Sequence, residues 1–440
     1  MSHVRWWIVF ILFLATVINY VDRNVLSFTM IDEGFRKTML GLPAEHVLTS
    51  DDVSRFAEKM GYVDWAFKTA YAIGFLCIGY WIDRLGTKRG LGLGMLIWSL
   101  AGCLATFANG IASLAGLRFA LGLGEASIFP SSVKTVSEWF PKRERTMAVG
   151  TFNAGTNIGV IATAFLVPIL TIQFGWRASF LITGLMGFAM LALWWLSYSR
   201  PESNRRVSSE ELAHIRSDGE DEPQGEPIRW LQLLRYRQTW ALMTGKFLAD
   251  PIWWFYLTWL PSFFNDHKIL ETKLDLKTIG IPFLVIYLVS DFGSIFFGWL
   301  STYWMNRGWS MTRARKTTML ICAFCVLPIY FAATTTNIYI AVALIALATA
   351  AHQGWSANMY PFGSDLFPKN YVASVSGLGG TAGAIGGMIM APVAGVVIAR
   401  FSYTPIFIWA SCAYLIAWIA ITLILPKMVP IVPPNTTSGR

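Results

Sequence analysis

A small set of ionisable side chains lies inside stretches that are otherwise apolar. They are Asp22 and Arg23, Arg118 and Glu125, Lys134, Lys246 and Asp250, and Asp291. A charge at membrane depth costs about 3 kcal/mol or more, so each is a candidate for function by default. Asp22 and Arg23 are consecutive and point about 100° apart on a helix, so only one of them can face a central cavity directly. Asn19 and Tyr20 precede Arg23 by four and three residues and share its face. A guanidinium between an amide and a phenol makes a clamp for a carboxylate and a hydroxyl, because the planar fork of arginine holds a carboxylate through two bonds. Arg23 is therefore the expected carboxylate anchor, the alternative being a fixed ion pair to a neighbouring helix. Arg118 and Glu125 are seven apart, which places them on one face about 10 Å apart. They form either a proton-linked pair or a static brace.

The polar and aromatic residues suited to hydroxyl-bearing ligands are Tyr71, Asn153 and Asn157, Trp253 and Tyr256, and His352, Gln353 and Asn358. Asn153 and Asn157 share a face at i, i+4, and Trp253 and Tyr256 at i, i+3. A flat ring can pack on the apolar face of such a ligand while amides bond its hydroxyls. His352 is either a proton relay or a packing histidine. Pro251 removes a backbone hydrogen bond and is expected to kink its helix beside Asp250, freeing carbonyls toward a cavity. Asp83, Arg84 and Arg89 sit at a helix end away from the midplane and suit a gate better than a ligand site.

The elements that position these residues follow from composition. The chain has 440 residues, 55% hydrophobic and 14% charged, with 20 Trp and a mean hydropathy of +0.49. A soluble domain carries about 25% charged residues, so the chain reads as a polytopic membrane protein. That excludes a nucleic-acid binder despite the net charge of +9. Apolar runs of about 20 continuous residues exclude a β-barrel, whose strands alternate over about ten. Spans are expected near 6–30, 60–82, 89–108, 110–134, 147–171, 177–199, 239–264, 278–304, 316–334, 337–361, 372–399 and 404–426. The fold class is thus all-α, with twelve transmembrane helices in two six-helix lobes. The lobes comprise residues 1–200 and 239–440, joined by a polar linker over 201–238. Within the linker, Ser208-Ser209-Glu210-Glu211 reads as a capping box opening a short surface helix. The first apolar run continues past any signal-peptide length without a small-x-small cleavage site, so it is expected to stay as a span.

Short connections after the second, fourth and eighth spans carry Arg84, Lys88 and Arg89; Lys142, Arg143 and Arg145; and Arg307, Arg313, Arg315 and Lys316. The positive-inside rule puts that side, both termini and the linker in the cytoplasm. Cys322 and Cys325 form a C-x-x-C inside an apolar helix with no histidine or acid nearby, and read as packing residues. Gly90-x-Gly92-x-Gly94 follows no strand and is not a nucleotide loop. Gly122, Gly124 and the cluster from Gly379 to Gly387 offer small faces that let helices approach closely. The five histidines, His3, His46, His214, His267 and His352, are scattered, which disfavours a membrane-embedded enzyme. A non-transporting sensor is disfavoured by polar residues spread through both lobes.

Gly79-Tyr-Trp-Ile-Asp83-Arg84-Leu-Gly86-Thr-Lys88-Arg89 resembles the cytoplasmic signature of the major facilitator superfamily, and Arg118-x-x-x-Gly122-x-Gly124-Glu125-Ala126 resembles its fourth-helix motif. A finer likeness is to the anion:cation symporters, and among them to bacterial hexuronate transporters. It is carried by Ile18–Asn24, by Gly124-Glu125-Ala126 with Lys134–Pro141, by Phe152–Gly159, by Asp250–Tyr256 and by Ala351–Asn358. The resemblance covers nearly the whole chain. It implies rocker-switch import of a sugar-acid anion, glucuronate or galacturonate, coupled to protons, with Asp22 and Glu125 binding the proton and Arg118 beside them. The alternative is a hexonate or other organic-anion carrier, working as symporter or exchanger. No cofactor is expected beyond the coupling proton, and no metal. The expected partners are a small anionic sugar acid and the lipid bilayer of a bacterial inner membrane, with the chain working as a monomer.

Overall fold

In hydrocarbon, every backbone N–H and C=O must be satisfied within its own segment, so continuous apolar runs become helices. The computed structural model describes residues 3–217 and 230–431, leaving out the side chains at 78–81, 83, 142, 143, 146, 230, 231, 369, 370 and 373. Its long elements are, in order, Val4–Thr29, Ser50–Leu85, Thr87–Ala105, Ile111–Trp139, Met147–Phe174, Trp176–Ser197, Arg237–Asp266, Gly280–Asn306, Met311–Ala333, Ile338–Leu366, Lys369–Arg400 and Thr404–Ile424. They are spans one to twelve below, six in each half. Among the described residues, nine of them are long and apolar enough to cross a membrane by length and composition. The other three are spans two, three and seven, which carry Asp64 and Lys68, Lys88 and Arg89, and Lys246 and Asp250.

Span two departs most from its expected start. It begins ten residues earlier because Thr49 and Asp52 close a capping box: the Thr49 hydroxyl accepts from the Asp52 N–H, and the Asp52 carboxylate accepts from the Thr49 N–H. That first stretch is polar on one side, which hides it from a hydropathy reading. Span seven runs as one helix through both Pro251 and Pro261. Span four breaks between Glu125 and Ile128.

Span two lies along span eleven across the two halves. The backbones meet at Gly61 and Gly395, where a Cβ on Gly61 would stand 2.9 Å from the Gly395 Cα. At the bundle end away from the termini, Arg36 of the short helix Glu33–Leu40 forks onto Asp266 of span seven, with bonds of 2.9 and 2.7 Å. The same guanidinium donates to the Met30 carbonyl at 2.6 Å. At the other end, the linker helix Ser209–Ile215 is capped by Ser208, whose hydroxyl accepts from the Glu211 N–H at 3.2 Å. Read from sequence as a surface element, this helix is docked on the first half. Glu211 is fully buried and accepts from the N–H groups of Val4 and Arg5 and from the Arg5 guanidinium. Arg5 and His214 both reach Glu144.

The backbones of spans eight and ten meet at Gly293, where a Cβ would stand 2.4 Å from the Ala350 carbonyl oxygen. Gly293→Leu is expected to cost about 1–3 kcal/mol of overpacking. The purified variant should melt several degrees lower, and an unchanged melting temperature would show that this contact does not set the helix spacing.

Candidate functional site

The two consecutive charges of span one part company. Arg23 turns toward the other half and into a box of rings. Its Cζ lies 4.6 Å from the centroid of Tyr20, 4.9 Å from Tyr71, and 5.6 Å from both Phe67 and Trp254. The first three rings belong to spans one and two, while Trp254 comes from span seven, so the box closes across the halves. Arg23 Nε donates to Glu125 Oε2 at 2.7 Å, and Nη2 donates to Asn19 Oδ1 at 3.4 Å. Both members of the pair are buried, Glu125 fully. Such a pair is held by geometry: either charge left alone in so dry a place would be heavily penalised.

Arg118 does not reach across its own helix face to Glu125 as the heptad spacing suggests. It donates to the backbone carbonyls of Arg23 at 3.0 Å and Asp22 at 3.5 Å, with its Cζ 4.7 Å over the Phe67 ring. It thereby props span one so that Arg23 meets Glu125. Asp22 points the other way, into the first half against Gly102 of span three. Both of its carboxylate oxygens are buried without a hydrogen-bond partner. Asn19, Tyr20, Arg23, Tyr71, Arg118 and Glu125 thus form one group on spans one, two and four, with Asp22 behind it in the first half.

The second half splits the remaining expected residues. Trp253 stacks on His352, with centroids 4.8 Å apart and planes 4° from parallel. The His352 Nδ1 meets the Tyr414 hydroxyl at 2.5 Å, and Nε2 meets Ser356 at 3.4 Å. Tyr256 is buried in that half's core, its hydroxyl without a partner. The Asn358 amide donates to the carbonyls of Gly354 and Phe297, a packing role. Gln353 is half-buried. Trp254, and not Trp253, reaches Arg23, because neighbours on a helix diverge by about 100°. Asn157 hydrogen-bonds Asp291 of span eight, tying the halves together, and Asn153 one turn earlier is exposed.

Residues 12–391 match the family model described as Major Facilitator Superfamily. The chain belongs to the major facilitator superfamily. Among curated relatives, it is 28% identical over 407 residues to the hexuronate transporter of Escherichia coli (strain K12), covering 92% of this chain and 90% of that one. It is 29% identical over 413 residues to the probable galactarate/D-glucarate transporter GudP of Bacillus subtilis (strain 168), covering 90% and 86%. Among solved structures, the inward-open xylose transporter XylE from E. coli aligns with a TM-score of 0.70 at 14% identity, covering 98% of each chain. This superfamily member is therefore a membrane transporter related to carriers of hexuronates and other sugar acids, and not an enzyme.

Some charges of this superfamily bundle escaped the sequence reading. Asp64 and Lys68 of span two form a buried pair at 2.6 Å, and the Thr258 hydroxyl of span seven donates to Asp64 at 3.4 Å. A small void reaches from Arg23 and Arg118 to Asp64, Trp254 and Thr258. The i, i+4 spacing of Asp64 and Lys68 was the available signal, masked by their place near the expected edge of the span. Lys246 pairs with Asp250 at 2.9 Å and lies 5.0 Å from the ring of Tyr360. Of the expected gate residues, Arg84 and Arg89 are exposed, and the Asp83 side chain lies outside the described residues. Arg89 lines the bundle perimeter between spans three and six.

Proposed function

We propose that the chain imports a sugar-acid monoanion, a hexuronate such as glucuronate or galacturonate, together with protons. One observation carries this reading: the ion pair Arg23–Glu125, enclosed by rings from both halves. A carboxylate entering the box competes with Glu125 for the Arg23 fork, and the rings of Tyr20, Tyr71 and Trp254 flank the sugar. Glu125, losing its counter-charge in a dry setting, is neutralised by a proton. Substrate and proton then favour each other's binding, which is coupling in the thermodynamic sense. Asp22 offers a second carboxylate off the substrate path. Because Trp254 belongs to the second half, filling the box favours the arrangement in which the halves are closed around it, and rocking of the halves delivers the cargo.

The basic loops put the termini in the cytoplasm of a bacterial inner-membrane protein. The Arg36–Asp266 fork is then the external latch of a single working chain. The names of the relatives support the substrate class.

The deciding experiment is uptake of labelled glucuronate into proteoliposomes, with and without an imposed pH gradient. Accumulation driven by the gradient is expected. Exchange that ignores the gradient would replace symport by antiport, and uptake of hexonates alone would move the cargo to the related class. Within the box, Trp254→Ala is expected to raise KM about tenfold, from loss of a ring contact of about 1.5 kcal/mol, and Trp254→Phe to restore most of it. Trp253→Ala, whose ring is engaged with His352, should change KM less than about threefold on the same scale. Equal effects of the two would remove Trp254 from the box.

A further inference from the structure

At the end of the bundle that holds the termini, the third and sixth spans of each half lie side by side on the perimeter, and each pair opens a groove toward the membrane. Between spans three and six lies a shallow open groove of about 580 Å³, with Gly92, Leu93, Leu96 and Trp195 in its walls and Arg89 on its rim. Between spans nine and twelve a groove of about 590 Å³ has Leu320 and Trp418 in its walls, with Arg313, Lys316 and Lys427 around it.

The two grooves are built alike. Trp194 Nε1 donates to the Lys88 carbonyl at 3.0 Å, and Trp418 Nε1 donates to the Lys316 carbonyl at 2.8 Å. In each half, then, an indole from the sixth span pins the first turns of the third. A cation lies over an indole beside each groove: the Lys88 Nζ is 5.5 Å from the Trp195 ring, and the Arg313 Cζ is 4.1 Å from the Trp309 ring. Gly92 opens the first trough, since a Cβ there would stand 3.1 Å from the Trp195 ring. Among the described residues, neither groove has an acidic side chain in its lining. Lys316 is bonded to the carbonyls of Leu425 and Pro426, which leaves its charge unneutralised.

An apolar trough that begins at a basic rim on the bundle's perimeter is complementary in shape and charge to an anionic phospholipid. We propose that the two grooves are a pseudo-symmetric pair of phospholipid sites, each taking the phosphate on its basic rim and one acyl chain in the trough. Basic pockets between spanning helices on the cytoplasmic side suit anionic head groups, and interfacial tryptophans suit the glycerol level between head group and chain. A free phosphate ester would satisfy the rim alone and leave the apolar walls uncovered. The proposal is independent of the cargo.

The test is native mass spectrometry of the full chain, stripped of lipid by detergent exchange and then offered phosphatidylglycerol or phosphatidylcholine with the same acyl chains. Two phosphatidylglycerols are expected to remain bound where phosphatidylcholine does not, and glycerol 3-phosphate is expected not to bind. The double variant Arg313→Gln/Lys427→Gln should keep one lipid of the two. Leu320→Trp, which fills the second trough without changing charge, should do the same, so the test survives if either variant fails to fold. Equal retention of the two lipids, retention of both phosphatidylglycerols by the folded variants, or equal binding of the tail-less ester would each overturn the proposal.

Discussion

Arg23→Ala is expected to abolish glucuronate binding, with affinity falling more than a hundredfold. The wild-type guanidinium sits 2.7 Å from Glu125 and is the cation that the first-span clamp and the Trp254 ring share. Removing one member of a buried, hydrogen-bonded charge pair costs about 2–5 kcal/mol, and here the arriving carboxylate would meet Glu125 with no positive charge between them. Arg23→Lys separates charge from geometry. It keeps the cation but loses the planar fork and its stacking against rings, so an intermediate loss of about tenfold is expected. Binding would be read by calorimetry on purified protein, with the melting temperature as a check that the bundle is intact. Near-normal affinity in a folded Arg23→Ala protein would leave the Arg23–Glu125 pair as a structural strut, with the cargo bound elsewhere.

The helices could be read from the chain because hydrocarbon leaves the backbone no alternative. An apolar run of the right length has one outcome, and the spans fall within a few residues of their expected places. The exception, span two, is instructive: the Thr49–Asp52 capping box extends it into a polar stretch where hydropathy is blind. The site was legible only where it is local. Asn19, Tyr20 and Arg23 share a face by helical spacing, and the structure keeps them together. What joins Arg23 to Glu125, about a hundred residues on, is not local. Spacing alone favoured Arg118 as the partner of Glu125, and the structure instead spends Arg118 on the backbone carbonyls of span one. The choice between Trp253 and Trp254 depends on which side of span seven faces the other half, a rotation that the ring-rich apolar stretch at 252–257 does not encode in its pattern. Asp64 and Lys68 neutralise each other inside the bundle, so they show neither in the net charge nor in the loop charges that set orientation.

Glu125→Gln should separate binding from energy coupling. Glutamine has the size of glutamate and still accepts a hydrogen bond from Arg23, but it carries no charge. Arg23 is then no longer held by a competing anion, so glucuronate affinity should stay within about threefold of wild type or improve; that window is about 0.65 kcal/mol, less than half the roughly 1.5–3 kcal/mol of a hydrogen bond to a charged group. Exchange of labelled for unlabelled substrate across the vesicle membrane should persist. Accumulation should not. One proton moving with a monoanion is electroneutral, so only the pH difference drives it. At about 1.36 kcal/mol per pH unit, a gradient of one unit sustains about tenfold accumulation, and the variant should fall to equal concentrations on both sides. Asp22→Asn is the companion measurement. The Asp22 carboxylate lies against Gly102 in the first half, off the box, with both oxygens unpartnered, so substrate does not displace anything from it. If Asp22→Asn collapses accumulation while Glu125→Gln retains it, the proton travels beside the cargo path and not through the charge exchange at Arg23. If both variants retain it, neither carboxylate carries the proton, and coupling through the Arg23–Glu125 pair is refuted.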